Sequence, residues 1–122
     1  IAQRATITAL NEPITKIQYM IDEFAKRREI IIELLKDIPG IKLNKPSGAF
    51  YVFPDVSSYF GKVLNGKKIK NATDFALYLL EKAHVATVTG EAFGNGNCIR
   101  ISYAASEEKI RLAIERISSA LK

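Results

Sequence analysis

The stretch Cys98-Ile99-Arg100-Ile101-Ser102-Tyr103 decides how this chain is read. Apolar and polar residues alternate along it with the period of a half-buried β-strand. Ile99, Ile101 and Tyr103 point to one face, and Cys98, Arg100 and Ser102 to the other. Arg100 is therefore a permanent charge in the middle of an otherwise uncharged strand. Directly upstream lies Thr89-Gly90-Glu91-Ala92-Phe93-Gly94-Asn95-Gly96-Asn97, a glycine-rich loop that brings flexible backbone close to whatever Arg100 faces. The planar fork of arginine holds a carboxylate or phosphate through two parallel charge-assisted hydrogen bonds. Spacing alone leaves two readings of Arg100 open. One is such an anion hook; the other is a solvent-facing arginine on the open face of a one-sided sheet.

Downstream of this strand, Ser106 caps a last helix whose apolar stripe is Ile110, Ala113, Ile114, Ile117 and Leu121, with Glu107 and Glu108 near its positive end. Upstream, Val85-Ala86-Thr87-Val88 reads as a short strand. Before it runs a helix with Phe75, Ala76, Leu79, Leu80 and Ala83 on one face, opened by the capping pair Asn71 and Asp74. Residues 56–70 read as an irregular surface excursion with a turn at Asn65-Gly66 and a basic tip. Ala49-Phe50-Tyr51-Val52-Phe53 reads as a strong strand between Pro46-Ser47-Gly48 and Pro54-Asp55, and Ile41-Lys42-Leu43 as a short one.

The N-terminal third is helical. Ile1 to Leu10 is helix-compatible, Asn11-Glu12-Pro13 punctuates, and Asn11 is a candidate cap. A long helix follows with apolar residues at Ile14, Ile17, Ile21, Phe24, Ile31, Leu34, Leu35 and Ile38, interrupted at Lys26-Arg27-Arg28 and ended by Pro39-Gly40. It is longer than the core beneath it, so one of its ends is expected to pack on something outside this sequence. The elements give an α/β (α+β) sandwich: a small mixed or antiparallel sheet covered on one side by helices.

The 122 residues suffice for one domain, and a hydrophobic share of 48% excludes disorder. Ile1 is not an initiator methionine, so a piece of a longer polypeptide is expected. No apolar run is long enough to span a membrane. One cysteine, Cys98, excludes an internal disulfide and fits a reducing, cytoplasmic compartment. With a single histidine as well, the usual His/Cys metal cages are excluded and no metal ligand is assigned. The net charge of +5 is scattered, and the basic tip Lys67-Lys68-Ile69-Lys70 lacks the interleaved aromatics of a single-strand RNA platform. Nucleic acid is not an expected partner, although a basic binding module is the non-enzymatic alternative. His84 near a helix end and Cys98 read as structural. Ser47 and Ser102 lack a neighbouring histidine, and Glu91 reads as a solvated loop charge or a general base.

Three of these segments together resemble a family. Pro46-Ser47-Gly48-Ala49-Phe50-Tyr51, Val85 to Gly94, and Cys98 to Ala104 look like the C-terminal part of class I aminotransferases, pyridoxal-phosphate enzymes of fold type I, and most of all their bacterial aspartate aminotransferase group. The opening Ile1-Ala2-Gln3-Arg4-Ala5 resembles the start of the helix that follows the family's cofactor-bearing region. The resemblance runs through the whole chain in the family's order. It implies that residues 1–122 form the small domain, with 1–38 as a helical segment linking to a missing large domain that holds pyridoxal phosphate. It implies amino-acid and 2-oxo-acid substrates, a homodimeric parent, and Arg100 as the residue that binds the substrate α-carboxylate. Gly90 and Phe93 would belong to the substrate-side loop. A lyase or decarboxylase of the same fold type is the enzymatic alternative. The family usually has Pro where Thr89 stands. Its cofactor lysine has no counterpart here: Thr15-Lys16 is the nearest imitation and lacks the Gly or Arg that follows in the family. No catalytic and no cofactor-binding residue is therefore assigned, and the chain alone is expected to lack transaminase activity.

Overall fold

The strand that carries Arg100 is the central one of a three-stranded antiparallel sheet. The computed structural model describes residues 1–122. In chain order, helix α1 (Ala2–Asn11), a 3₁₀ turn (Ile14–Ile17) and helix α2 (Gln18–Lys36) precede strand β1 (Tyr51–Val52). A hairpin of β2 (Val63–Leu64) and β3 (Lys67–Lys68) follows, then helix α3 (Ala72–Tyr78) with a π-helical turn at Leu79–Ala83. Strands β4 (Val88–Thr89) and β5 (Ile99–Ser102) and helix α4 (Glu107–Ala120) complete the chain.

The sheet order is β1-β5-β4, with Tyr51 opposite Ser102 and Val88 opposite Arg100. Alternation along β5 is as the sequence predicts: Ile99, Ile101 and Tyr103 are buried, Arg100 is half-buried and Ser102 exposed. Val52, directly opposite Ile101, shares the buried face, and both belong to one hydrophobic cluster with Ile31, Leu35, Phe75, Ile114 and Ile117 of the helices. Each such side chain stabilises the fold by roughly 1.5–3 kcal/mol on burial. The helices thus cover one face and leave the other to Arg100 and Tyr51.

The other strands are shorter than their sequences predict. Ile41-Lys42-Leu43 makes only one bridge, Lys42 with Asp55, through two backbone hydrogen bonds of 2.8 and 3.1 Å. The Ala49–Phe53 strand shrinks to Tyr51–Val52 because Ala49 adopts a left-handed conformation, φ 65°, which breaks the ladder at its start. Val85–Val88 pairs only from Val88, since His84 closes the preceding helical segment in the left-handed region, φ 54°, and the chain needs the next residues to reach the sheet.

Asn11 does not cap the second helix; its amide donates to the Ile7 carbonyl and finishes α1. Lys26-Arg27-Arg28 does not interrupt α2, because these side chains find partners on the surface. Lys26 pairs with Glu107 at 2.9 Å and Arg27 with Glu23 at 3.6 Å. The second half of α2 buries Ile30, Ile31, Ile32 and Leu35, whereas Ile14, Ile17 and Ile21 are exposed. The expected surplus of helix over core therefore lies at the N-terminal end.

Residues 56–70 are more ordered than an irregular excursion. Val56, Tyr59 and Ile69 are buried, and Asn65-Gly66, both at positive φ, form the tight turn between β2 and β3. Caps at the two later helices are those expected. Asn71 accepts from the Asp74 amide at 2.8 Å, and Ser106 from the Lys109 amide at 3.4 Å.

Candidate functional site

Arg100 projects from the uncovered face of β5, and two aromatic rings flank its guanidinium. The guanidinium carbon lies 4.5 Å from the centroid of Phe93 and 5.3 Å from that of Tyr51. Tyr51 reaches it diagonally across the ladder, being opposite Ser102, two residues along from Arg100. Phe93 arrives from the loop between β4 and β5, and Phe53 meets Phe93 edge-on at 6.2 Å and 82°. None of the chain's ion pairs includes Arg100. Both rings lie within cation–π range, an attraction that commits none of the five guanidinium donors to a lone-pair acceptor. The arrangement is a cation with its donors free, suited to a planar anion such as a carboxylate.

The loop is tight rather than flexible. Gly90–Phe93 is a 3₁₀ turn. The Gly94 amide donates to the Glu91 carbonyl at 3.2 Å, the Asn95 amide to Gly90 at 3.0 Å, and the Cys98 amide to Asn95 at 3.2 Å. A Cβ at residue 90 would lie 2.2 Å from the Asn95 carbonyl oxygen and 2.3 Å from that of Cys98, so only glycine lets these strands of backbone approach. Gly90 shapes the turn and Phe93 touches the cation. Of the three site residues predicted from sequence, Arg100 and Phe93 meet directly and Gly90 supports their meeting.

A family model described as aminotransferase class I and II matches residues 1–117. The chain belongs to this family. It is 45% identical over 121 residues to an aspartate aminotransferase of Rhizobium meliloti, covering 98% of this chain and 30% of that protein. It is 42% identical over 125 residues to a bifunctional aspartate aminotransferase and glutamate/aspartate-prephenate aminotransferase of Petunia hybrida, covering 99% of this chain and 26% of that one. The crystal structure of an aspartate aminotransferase from Rhizobium meliloti superimposes with a TM-score of 0.91 at 44% identity, over 98% of this chain and 30% of that one. The chain thus spans less than a third of the length of these relatives.

The remaining motif residues of this member of the family brace the site. The Tyr103 hydroxyl donates to the Ala49 carbonyl at 2.8 Å, and its amide donates to Phe50 at 2.9 Å. These bonds hold the Pro46–Tyr51 motif against the end of β5, and burial pushes the Tyr103 phenol pKa up. Ser102 carries no histidine partner; its Oγ accepts from the Ala104 amide at 3.2 Å. Glu91 turns to α3, where the Thr73 hydroxyl lies 3.5 Å from its carboxylate. The same hydroxyl donates to Thr89 Oγ1 at 3.0 Å, so the residue that stands in place of the family's proline is tied to α3. Cys98 is buried, and its thiol pKa is raised, first by that burial and then by the charge of Asp55. A thiol in that state is not a nucleophile.

Sequence reasoning had Tyr51 only as part of a motif and missed its contact with Arg100. The signal was available only in combination: Tyr51 lies on Arg100's face once the register of β1 on β5 is known, and register is not local information.

Proposed function

We propose that this chain is the small domain of a pyridoxal-phosphate-dependent aminotransferase that exchanges an amino group between aspartate, or a related amino acid, and 2-oxoglutarate. In this reading Arg100 binds the substrate α-carboxylate. The observation that carries it is the Arg100 guanidinium within cation–π range of both Tyr51 and Phe93 and in no ion pair. A carboxylate clamped at two points fixes the torsion about the substrate Cα, which orients the bond to be broken. Both substrates carry the same α-carboxylate, so one arginine serves both half-reactions.

This reading places the cofactor site outside the residues of this chain. A lysine that carries pyridoxal phosphate needs a neutral amine in a shielded place. Lys16 stands exposed and paired with Glu12 at 2.6 Å, and Lys45, in the groove beside Tyr51, is paired with Glu29 at 2.9 Å. The cofactor's electron-withdrawing chemistry would come from a larger domain of the same polypeptide, linked through residues 1–38. Support for that link is the exposed apolar series Ile7, Leu10, Ile14, Ile17, Met20 and Ile21, together with relatives more than three times as long. The reading includes a homodimeric parent in the cytoplasm, where the free Cys98 stays reduced.

The test is Arg100→Ala in the full-length holoenzyme. The expected result is a fall of about 100-fold or more in kcat/KM for amino acid and oxo acid alike, with the cofactor's absorbance unchanged. Unchanged kinetics would remove Arg100 from the site. Absence of any amino transfer by the full-length wild-type enzyme would overturn the activity itself.

A further inference from the structure

We infer that Phe93 is a positioning residue for the carboxylate clamp: with Tyr51 it holds the Arg100 guanidinium in place, and so acts equally on every substrate that presents an α-carboxylate. The inference rests on the reading of Arg100 given above. A half-buried arginine has several rotatable bonds and loses rotamer entropy whenever a ligand fixes it. Lys26 and Lys45 are fixed by acids, Glu107 and Glu29, whereas Lys62 lies over the Tyr59 ring at 5.1 Å with no acid partner, as Arg100 does with its two rings. An acid beside Arg100 would occupy the donors that a substrate needs. Two rings within cation–π range hold the cation in place without committing its donors to a lone-pair acceptor. Phe93, at 4.5 Å, is the nearer of the two.

Phe93 is itself held in place on three sides. The 3₁₀ turn closed by the Gly94 and Asn95 amides fixes its backbone. Phe53 fixes its ring from behind, edge-on at 82°. Gly90 permits the turn by its close approach to Cys98. The residue is 47% exposed, so its contribution to the core is small, and its ring contacts are with Arg100 and Phe53. Apolar rings against the guanidinium also keep water from one side of it, which strengthens its hydrogen bonds to an anion. The substrate side chain plays no part in this contact, so Phe93 governs affinity for the class of α-carboxylates and not the choice among amino acids.

The experiment compares Phe93→Leu, which keeps the apolar volume and loses the aromatic face, with Phe93→Tyr, which keeps the face. Both are made in the full-length holoenzyme. Two quantities are read: the Kd of maleate by calorimetry, a dicarboxylate with no amino or oxo group to react, and the KM values for the amino acid and the oxo acid. For F93L the expected result is weaker maleate binding and higher KM for both substrates by a common factor of about 3 to 10. F93Y should stay within about twofold of the wild type in all three. F93L indistinguishable from wild type, or a KM change confined to one substrate, overturns the inference. Arg100→Ala run in parallel separates the two levels. Lost maleate binding in R100A with an unaffected F93L rejects the role of Phe93 alone; maleate binding retained in R100A rejects the clamp, and the inference with it.

Discussion

The Gly90 amide donates to the Cys98 carbonyl at 2.7 Å, at a place where a Cβ on residue 90 would stand 2.3 Å from that same oxygen. The loop that carries Phe93 therefore leaves β4 at a point with no room for a side chain. Both obstacles are backbone carbonyls, which cannot swing aside as a flexible side chain would. Gly90→Ala is expected to destabilise the chain by about 1–3 kcal/mol, the usual cost of forcing a methyl into filled space. Urea unfolding of the 122-residue chain measures this. A midpoint equal to that of wild type would mean that the loop moves away at no cost.

Thr89 stands where the family usually has proline, and its backbone is already compatible with one. Its φ is −60°. The Gly90 amide bonds to Cys98 and the Ile99 amide faces Pro54, at 3.1 Å, so Thr89 and Ile99 form a non-hydrogen-bonded pair and the Thr89 amide points off the sheet edge. A proline there loses no ladder bond. It does lose the hydroxyl that accepts from Thr73. The fair comparison is thus with Thr89→Ala, which loses the same contact. Thr89→Pro should be more stable than Thr89→Ala by about 0.4–1 kcal/mol, through a less flexible unfolded chain. Thermal unfolding of the two variants decides it, and a less stable proline variant refutes the argument.

Asp55 gives the chain an acid-sensitive element. The Ser57 hydroxyl and the Ser57 amide, the latter at 2.8 Å, hold its carboxyl below the usual carboxylate range. A carboxyl with a depressed folded pKa contributes stability above its unfolded pKa, near 4, and that contribution disappears as pH falls through the folded value. Asp55→Asn removes the titration. The stability gap between wild type and this variant should be constant above about pH 5 and should narrow below about pH 4. Urea midpoints across that range give the gap directly. A gap that stays constant down to acid would show that Asp55 does not titrate differently on folding.

Local signals carried much of the fold and failed where packing overrode them. The Ser106 cap, the stripe of α4 and the alternation around Arg100 depend on neighbours within a few residues, and each is as the sequence predicts. The hairpin of β2 and β3 was hidden because Val63-Leu64 and Lys67-Lys68 do not alternate; only its Asn65-Gly66 turn was legible. After α3 the π-helical turn shifts the helical phase. Leu80, placed by the apolar pattern on the inner face with Leu79, is exposed while Leu79 is buried. In α2, the apolar period over its first turns reads the same whether or not this chain covers it, and this chain leaves Met20 and Ile21 exposed. In the site, Arg100 and its loop were legible by motif, but the stacking of Phe93 and Tyr51 on Arg100 depends on register and turn geometry together.

Tyr78 ties three distant segments at one atom. Its hydroxyl donates to the Ala120 carbonyl at 2.5 Å and accepts from the Asn65 side-chain amide at 2.7 Å, and the residue is 0% exposed. The last carbonyls of a helix have no partner within it, so the phenol supplies one to α4. The same bond pair holds the tip of the β2–β3 hairpin against α3. Tyr78→Phe keeps the ring and its packing and leaves the Ala120 carbonyl beside an apolar edge. Asn65 is exposed and recovers its bond from water, so the loss is chiefly that of one part-buried acceptor. The expected cost is about 1–2 kcal/mol. Hydrogen exchange should place the effect: amides in the last turn of α4 lose protection, while those of Ile99 and Ile101 in the central strand keep theirs relative to global stability. Uniform loss across both would mean that the phenol acts on the whole core and not on the end of α4.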